Sequence, residues 1–158
     1  MAEIRLFYWD ANVFLYYLNG DPDKIQTLEA ILEEVERNGK DKIVTSVISK
    51  VEVAWVASEK LNRVLNQDEE ARIDNLWNDF SVVETIDFND EITHIARSLM
   101  RRSMARGWKL RVNDAIHLSS AEWVGAIEMY TYDDRLYKYN EFIGLDVKAP
   151  VALQPKLF

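Results

Sequence analysis

Residues Ile4 to Trp9 form an almost unbroken apolar run that stops at Asp10, the pattern of a strand buried on both faces of a parallel sheet. The stretch from Asn12 to Leu18 is predicted to turn helical and to break at Asn19 and Gly20. Asp21, with Pro22 at a first helical position, opens a second helix. In it Ile25, Leu28, Ile31, Leu32 and Val35 recur at helical spacing until Asn38 and Gly39 close it. Ile43 to Val47 is short and β-branched, a second strand. It leads directly into a helix with Val51, Ala54, Trp55, Ser58 and Leu61 on one stripe and Glu52 in its first or second turn.

An acidic helix with Ile73, Leu76, Trp77 and Phe80 inward precedes a third strand, Val82 to Ile86. Asn89 caps the next helix, whose inward residues are Ile92, Ile95, Ala96, Leu99 and Met100. Beyond Gly107 a short extended piece reaches Asn113 and Asp114, which open a helix of small and apolar residues. Ile127 to Thr131 is a fourth strand running into Asp133 and Asp134, and Leu145 to Lys148 adds an edge strand before a Pro-containing tail. Strands alternating with helices imply an α/β fold around a parallel sheet.

In such sheets ligands gather outside the carboxyl ends of the strands. Asp10, Glu52 and Asp133 each follow a predicted strand, and Asp114 begins a helix, so four acids distant in sequence are drawn to one edge. Clustered carboxylates repel one another and raise each other's pKa unless a cation neutralises them. The chain has no Cys, so any bound metal must be held by oxygen or imidazole, which suits Mg²⁺ or Mn²⁺.

Each acid also has a plainer explanation. Ser49 to Glu52 matches a capping box, Asp114 suits a helix start, and Asp133 with Asp134 suits a turn. Asp10 is harder to dismiss, because an acid ending a buried apolar strand needs a partner or an ion. Asn12 serves as a helix cap or orients Asp10, and Thr131 is a strand residue beside Asp133. His117, one turn past Asp114, reads more readily as a packed or surface histidine than as a ligand, and Trp9 and the tyrosines as core.

Composition narrows the picture. A length of 158 residues with 48% hydrophobic content suits a single domain over residues 1–158. No Gly/Ser-rich linker or internal repeat divides it. No apolar run approaches the roughly 18 residues of a membrane span, and the N-terminus lacks the pattern of a signal peptide, so a soluble cytoplasmic protein is expected. A net charge of −8 counts against broad nucleic-acid binding. The segment from Arg97 to Arg111 nevertheless carries six cations and no acid. Alone it reads as a solvated helix face, but it could serve a polyanion.

Four segments, in order, resemble the PIN domain family, and within it the VapC-like toxins of prokaryotic toxin–antitoxin pairs. Phe7 to Leu15 is similar to the family's opening strand, with its first Asp followed by Thr, Ser or Asn. Ser46 to Val56 is similar to the second block, whose Glu is here Glu52. Arg111 to Ala121 is similar to the Asp-Ala helix, giving Asp114, and Met129 to Leu136 to the Thr-x-Asp turn, giving Thr131 and Asp133.

The resemblance implies a three-layer α/β/α sandwich with a central, mainly parallel sheet of four to five strands. It further implies an endoribonuclease using one or two Mg²⁺ or Mn²⁺ ions, with Asp10, Glu52, Asp114 and Asp133 as catalytic ligands and Asn12 and Thr131 in support. A cognate antitoxin and a homodimer are implied by the same analogy. Arg102, Arg106, Lys109 and Arg111 are candidates for positioning the RNA backbone. The expected chemistry is in-line attack of activated water on a phosphate, leaving 5′ phosphate ends.

The chain departs from the pattern in its extra length between Asn62 and Phe80, its acidity, and Asp134 where a basic residue is common. Two other functions stay open. A haloacid-dehalogenase-like phosphatase also begins with a strand-ending Asp, although it needs a second acid where Asn12 stands. A catalytically silent RNA-binding or regulatory module would keep the scaffold alone.

Overall fold

Side chains alternate across a strand, so β1 (Arg5–Trp9) sends Phe7 and Trp9 to one face of the sheet and Tyr8 to the other, all three buried. Burial on both faces is what the continuous apolar run demanded, and it fits a central strand. In the computed structural model, which describes residues 3–78 and 81–152, β1 is the middle of a five-stranded sheet in the order β3-β2-β1-β4-β5. The other strands are β2 (Asp41–Ser46), β3 (Val83–Ile86), β4 (Glu128–Tyr130) and β5 (Asp146–Lys148). Every pairing is parallel, with Phe7 opposite Ile43 on one side and Glu128 on the other.

On the Phe7 and Trp9 face lie α1 (Ala11–Asn19), α2 (Ile25–Asn38) and α5 (Gln67–Asn78), contributing Phe14, Leu28, Ile31, Ile73 and Leu76 to one apolar cluster. On the Tyr8 face lie α6 (Asp90–Ala105), α7 (Val112–Val124) and α8 (Asn140–Ile143), with Ile92, Leu99, Leu118 and Ile143 in a second cluster. This is the three-layer α/β/α sandwich expected from the sequence. Gly20 and Gly39 end α1 and α2 with φ of 62° and 64°, a left-handed turn that glycine adopts without the strain a Cβ adds.

Two expectations need correction. The second helix begins at Ile25, not Pro22; residues 22–24 form a turn that Asp21 organises by accepting the Asp23 N–H.

The single helix carrying Val51, Ala54, Trp55, Ser58 and Leu61 inward does not exist. Instead α3 (Ser49–Glu52) stops after four residues and α4 (Ala57–Asn62) restarts. Val51 and Leu61 are 78% and 83% exposed, while Val53 and Val56 fill the core. The break is set by backbone conformation and by capping bonds within the segment. Val53 leaves the helical region at ψ 54°, and the buried Glu59 carboxylate accepts the N–H groups of Val56 and Asn66.

Phe80, expected to face inward, falls outside the described residues. No helix among those described is long and apolar enough to cross a membrane.

Candidate active site

The parallel sheet brings the carboxyl ends of β1, β2 and β4 together, and each delivers a polar residue there. Asp10 directly follows β1 in extended conformation; its N–H donates to Tyr130 O at the end of β4 and its carbonyl accepts from Val13 N at the start of α1. The side chain is 4% exposed, and its Oδ1 has no hydrogen-bond partner among the described residues. Burial pushes the Asp10 carboxyl up to about 6, against hydrogen bonds from Thr131 and Val13, with Asp114 adding to the rise.

Asn12, in the first turn of α1, braces this corner. Its Nδ2 donates to Thr131 Oγ1 (3.3 Å) and its Oδ1 accepts from Tyr132 N (3.2 Å). Thr131 Oγ1 in turn accepts from Asp133 N (3.1 Å). Asp133 caps the 3-10 helix Asp134–Tyr139 through its bond from Arg135 N, so ordinary turn chemistry and a place at the site coincide in one residue.

Arg135 also grips the Asp133 carboxylate with two side-chain bonds, of 2.8 and 2.7 Å. This guanidinium holds the Asp133 carboxyl below the usual carboxylate range. Arg111 reaches Asp114 at 3.2 Å and Asp133 at 3.8 Å, bridging the two acids. Glu52, at the end of α3, turns its Oε1 to His117 Nε2 (2.6 Å) and its Oε2 to Asn113 Nδ2 (3.4 Å). The capping-box contact with its own helix is not made.

The contacts form two groups, Asp114 and Asp133 joined by Arg111, and Glu52 joined to His117 and Asn113, with Asp10 buried and electrostatically coupled to Asp114. Arginines hold Asp114 and Asp133, and as they stand no three Asp, Glu or His side chains among the described residues converge closely enough to hold a metal ion. The exception to neutralisation is Asp10 Oδ1, a buried acceptor facing nothing that donates to it, and the donor set is carboxylate oxygen throughout.

The basic segment splits in two. Lys109 and Arg111, with Arg97 and Arg101, line a cavity of about 590 Å³ together with Met100, Met104 and Ile116. Arg102 and Arg106 instead lie over the Phe142 ring, and Arg106 pairs with Glu141.

Tyr8, Asn113, His117 and Arg135 take part in these contacts, and sequence reasoning left them aside. Two signals were available: the three-residue spacing of Asp114 and His117, which share a helix face, and an Arg two places after Asp133. Replacing Arg135 with Gln is expected to return the Asp133 carboxyl toward its usual range, read as an upward-moving midpoint in a ¹³C carboxyl NMR titration. An unmoved midpoint would assign the depression to Arg111.

The PIN domain family model matches residues 7–141. This chain belongs to the PIN domain family. No curated protein matches it in sequence. Solved structures share the PIN fold at low identity. VapBC2 from Rickettsia felis, solved with a DNA fragment from its promoter, has a TM-score of 0.68 at 19% identity, covering 91% of this chain and 98% of that one. FitAcB from Neisseria gonorrhoeae has a TM-score of 0.65 at 14% identity, covering 91% and 97%. VapBC-5 from Mycobacterium tuberculosis, a member of a family of toxin–antitoxin systems, has a TM-score of 0.59 at 16% identity, covering 91% and 98%.

Proposed function

We propose that this PIN domain is an endoribonuclease dependent on Mg²⁺ or Mn²⁺, and the toxin of a toxin–antitoxin pair. The observation that carries it is the buried Asp10 carboxylate, one oxygen unpartnered and electrostatically coupled to Asp114. An unpartnered buried acceptor of this kind costs stability unless something is bound there. A hard cation fits its donor chemistry. Asp10 and Glu52 would hold it, with Asp114 and Asp133 completing the set once Arg111 and Arg135 release those two acids. Such an ion, when bound, supplies positive charge for activating water and stabilising the leaving 3′ oxygen.

The chain's own residues prepare that chemistry. Asn12 and Thr131 fix the turn after β4 against the start of α1, which sets the separation of Asp10 and Asp133. Arg111, 70% exposed at its side chain, can exchange an acid for a phosphate, with Lys109 beside it in the cavity lining. Arg102 and Arg106 have ring and carboxylate partners of their own, and their contribution to RNA binding is proposed as the weaker one. Toxin–antitoxin complexes among the fold neighbours support an antitoxin protein as partner, and the family resemblance extends the proposal to a homodimer. A phosphatase of the haloacid-dehalogenase kind would need an acid at Asn12, whose amide is engaged in bracing the turn.

Purified protein is expected to cleave structured RNA with Mn²⁺ or Mg²⁺, leaving 5′ phosphate ends. Asp10→Asn and Asp114→Asn are each expected to lose about 100-fold or more in rate, a few kcal/mol of transition-state stabilisation. Cleavage by both variants at the wild-type rate would assign the activity to a contaminant. Tight RNA binding without cleavage would favour the silent module.

A further inference from the structure

The chain has two histidines. His94 is exposed on α6, but His117 is 2% exposed and both of its ring nitrogens are engaged. Nδ1 lies 2.7 Å from the Tyr8 hydroxyl, and Nε2 lies 2.6 Å from Glu52 Oε1.

The two ends of this chain of bonds set its polarity. Ser46 N–H can only donate, so the Tyr8 oxygen accepts there, at 3.0 Å. Burial pushes the Tyr8 phenol well above its ordinary range, so it keeps its hydrogen. At the other end the Glu52 carboxylate only accepts, which calls for the ring hydrogen on Nε2 and leaves Nδ1 of a neutral ring to accept from Tyr8.

We propose that His117, locked in the Nε2–H tautomer by Tyr8, is a positioning residue that holds Glu52 by Oε1 and leaves Oε2 on the Asn113 side to serve the cation site. The inference rests on the nuclease function proposed above.

The need for such a device is local. Glu52 ends a helix of only four residues, and a free Glu side chain has several rotamers whose freedom opposes ligand binding. Tyr8 lies in the middle of the sheet and His117 in α7, both buried, so packed parts of the fold aim a side chain on one of its shortest elements. Asp114 and His117 share one face of α7, which makes the helix that supplies one acid also the helix that orients another. Outer contacts of this kind commonly change metal affinity by about 10- to 100-fold.

Two measurements test it. Long-range ¹H–¹⁵N imidazole spectra of the wild type are expected to show His117 with a pyrrole-like Nε2 and a pyridine-like Nδ1; the reverse assignment overturns the proposal whether or not the protein binds metal. Mn²⁺ titrated calorimetrically into His117→Leu is expected to bind about 10- to 100-fold more weakly than to wild type. His117→Gln, which keeps a donor near the Nε2 position, is expected to recover most of that loss. Tyr8→Phe, which removes the hydrogen offered to Nδ1, is expected to weaken binding in the same direction.

A merely structural His117 would lower the melting temperature of both substitutions and leave Mn²⁺ affinity unchanged. That result, with binding abolished in Asp10→Asn, refutes the positioning role and leaves the nuclease function standing. A wild type that binds no Mn²⁺ refutes both.

Discussion

Metal-free Asp10→Asn protein is expected to be more stable than metal-free wild type near neutral pH, and equally stable near pH 4. Burial raises the Asp10 carboxyl from 3.8 to about 6, so between those values the folded protein binds more protons than the unfolded chain. Wild-type stability therefore falls as pH rises through that window, and the full penalty stands above about pH 6. The shift corresponds to about 3 kcal/mol, which the neutral amide relieves.

Adding Mn²⁺ is expected to raise the melting temperature of the wild type, because the proposed cation site would exist only in the folded state, and to raise that of Asp10→Asn less. Thermal melts at both pH values, with and without Mn²⁺, read all four cases. Coincident melting near neutral pH would show that Asp10 carries no buried-charge penalty and would remove the main support for a cation there.

The second large effect is on packing. Phe14 is fully buried and touches Trp9 and Trp77, with ring centroids 5.2 and 5.1 Å apart, so it joins α1 to the central strand and to α5. Phe14→Ala is expected to cost about 3–5 kcal/mol, the usual range for emptying a buried aromatic site, measured as a lower urea midpoint with unchanged slope. α1 also carries Asn12, so the loosened helix should blur the turn at Thr131. A loss below about 1 kcal/mol would mean that the two tryptophans close over the gap.

The sheet was legible because its signals are local. An apolar run ending in Asp, a β-branched run, and glycines after the helices each state their structure within a few residues. Asp10 stood out for the same reason. The region after β2 was misleading because two stripes compete there: Val51, Trp55 and Leu61 keep helical spacing as well as any core face, but the fold buries Val53 and Val56. No Pro or Gly marks the break. What decides it is the buried Glu59, bonded to Val56 and Asn66, contacts that no periodicity announces.

Within the site, the sequence yielded the acids and withheld their partners. Arg135 is adjacent enough to Asp133 to have been suspected. The pairing of His117 with Glu52 joins residues 65 apart, and it depends on Tyr8, which a pattern reading assigns correctly to the core without revealing that its hydroxyl is in use.

The order of the strands has a consequence for synthesis. β1 is made before β4 but pairs with it, and Asp10 N–H waits for Tyr130 O. A nascent chain that has emerged only as far as α6 contains Asp10 and Glu52 but neither Asp114 nor Asp133, and its first strand still lacks one neighbour. Under the proposed activity, RNA cleavage would await the folding of α7 and of the turn after β4, the elements that carry Asp114 and Asp133.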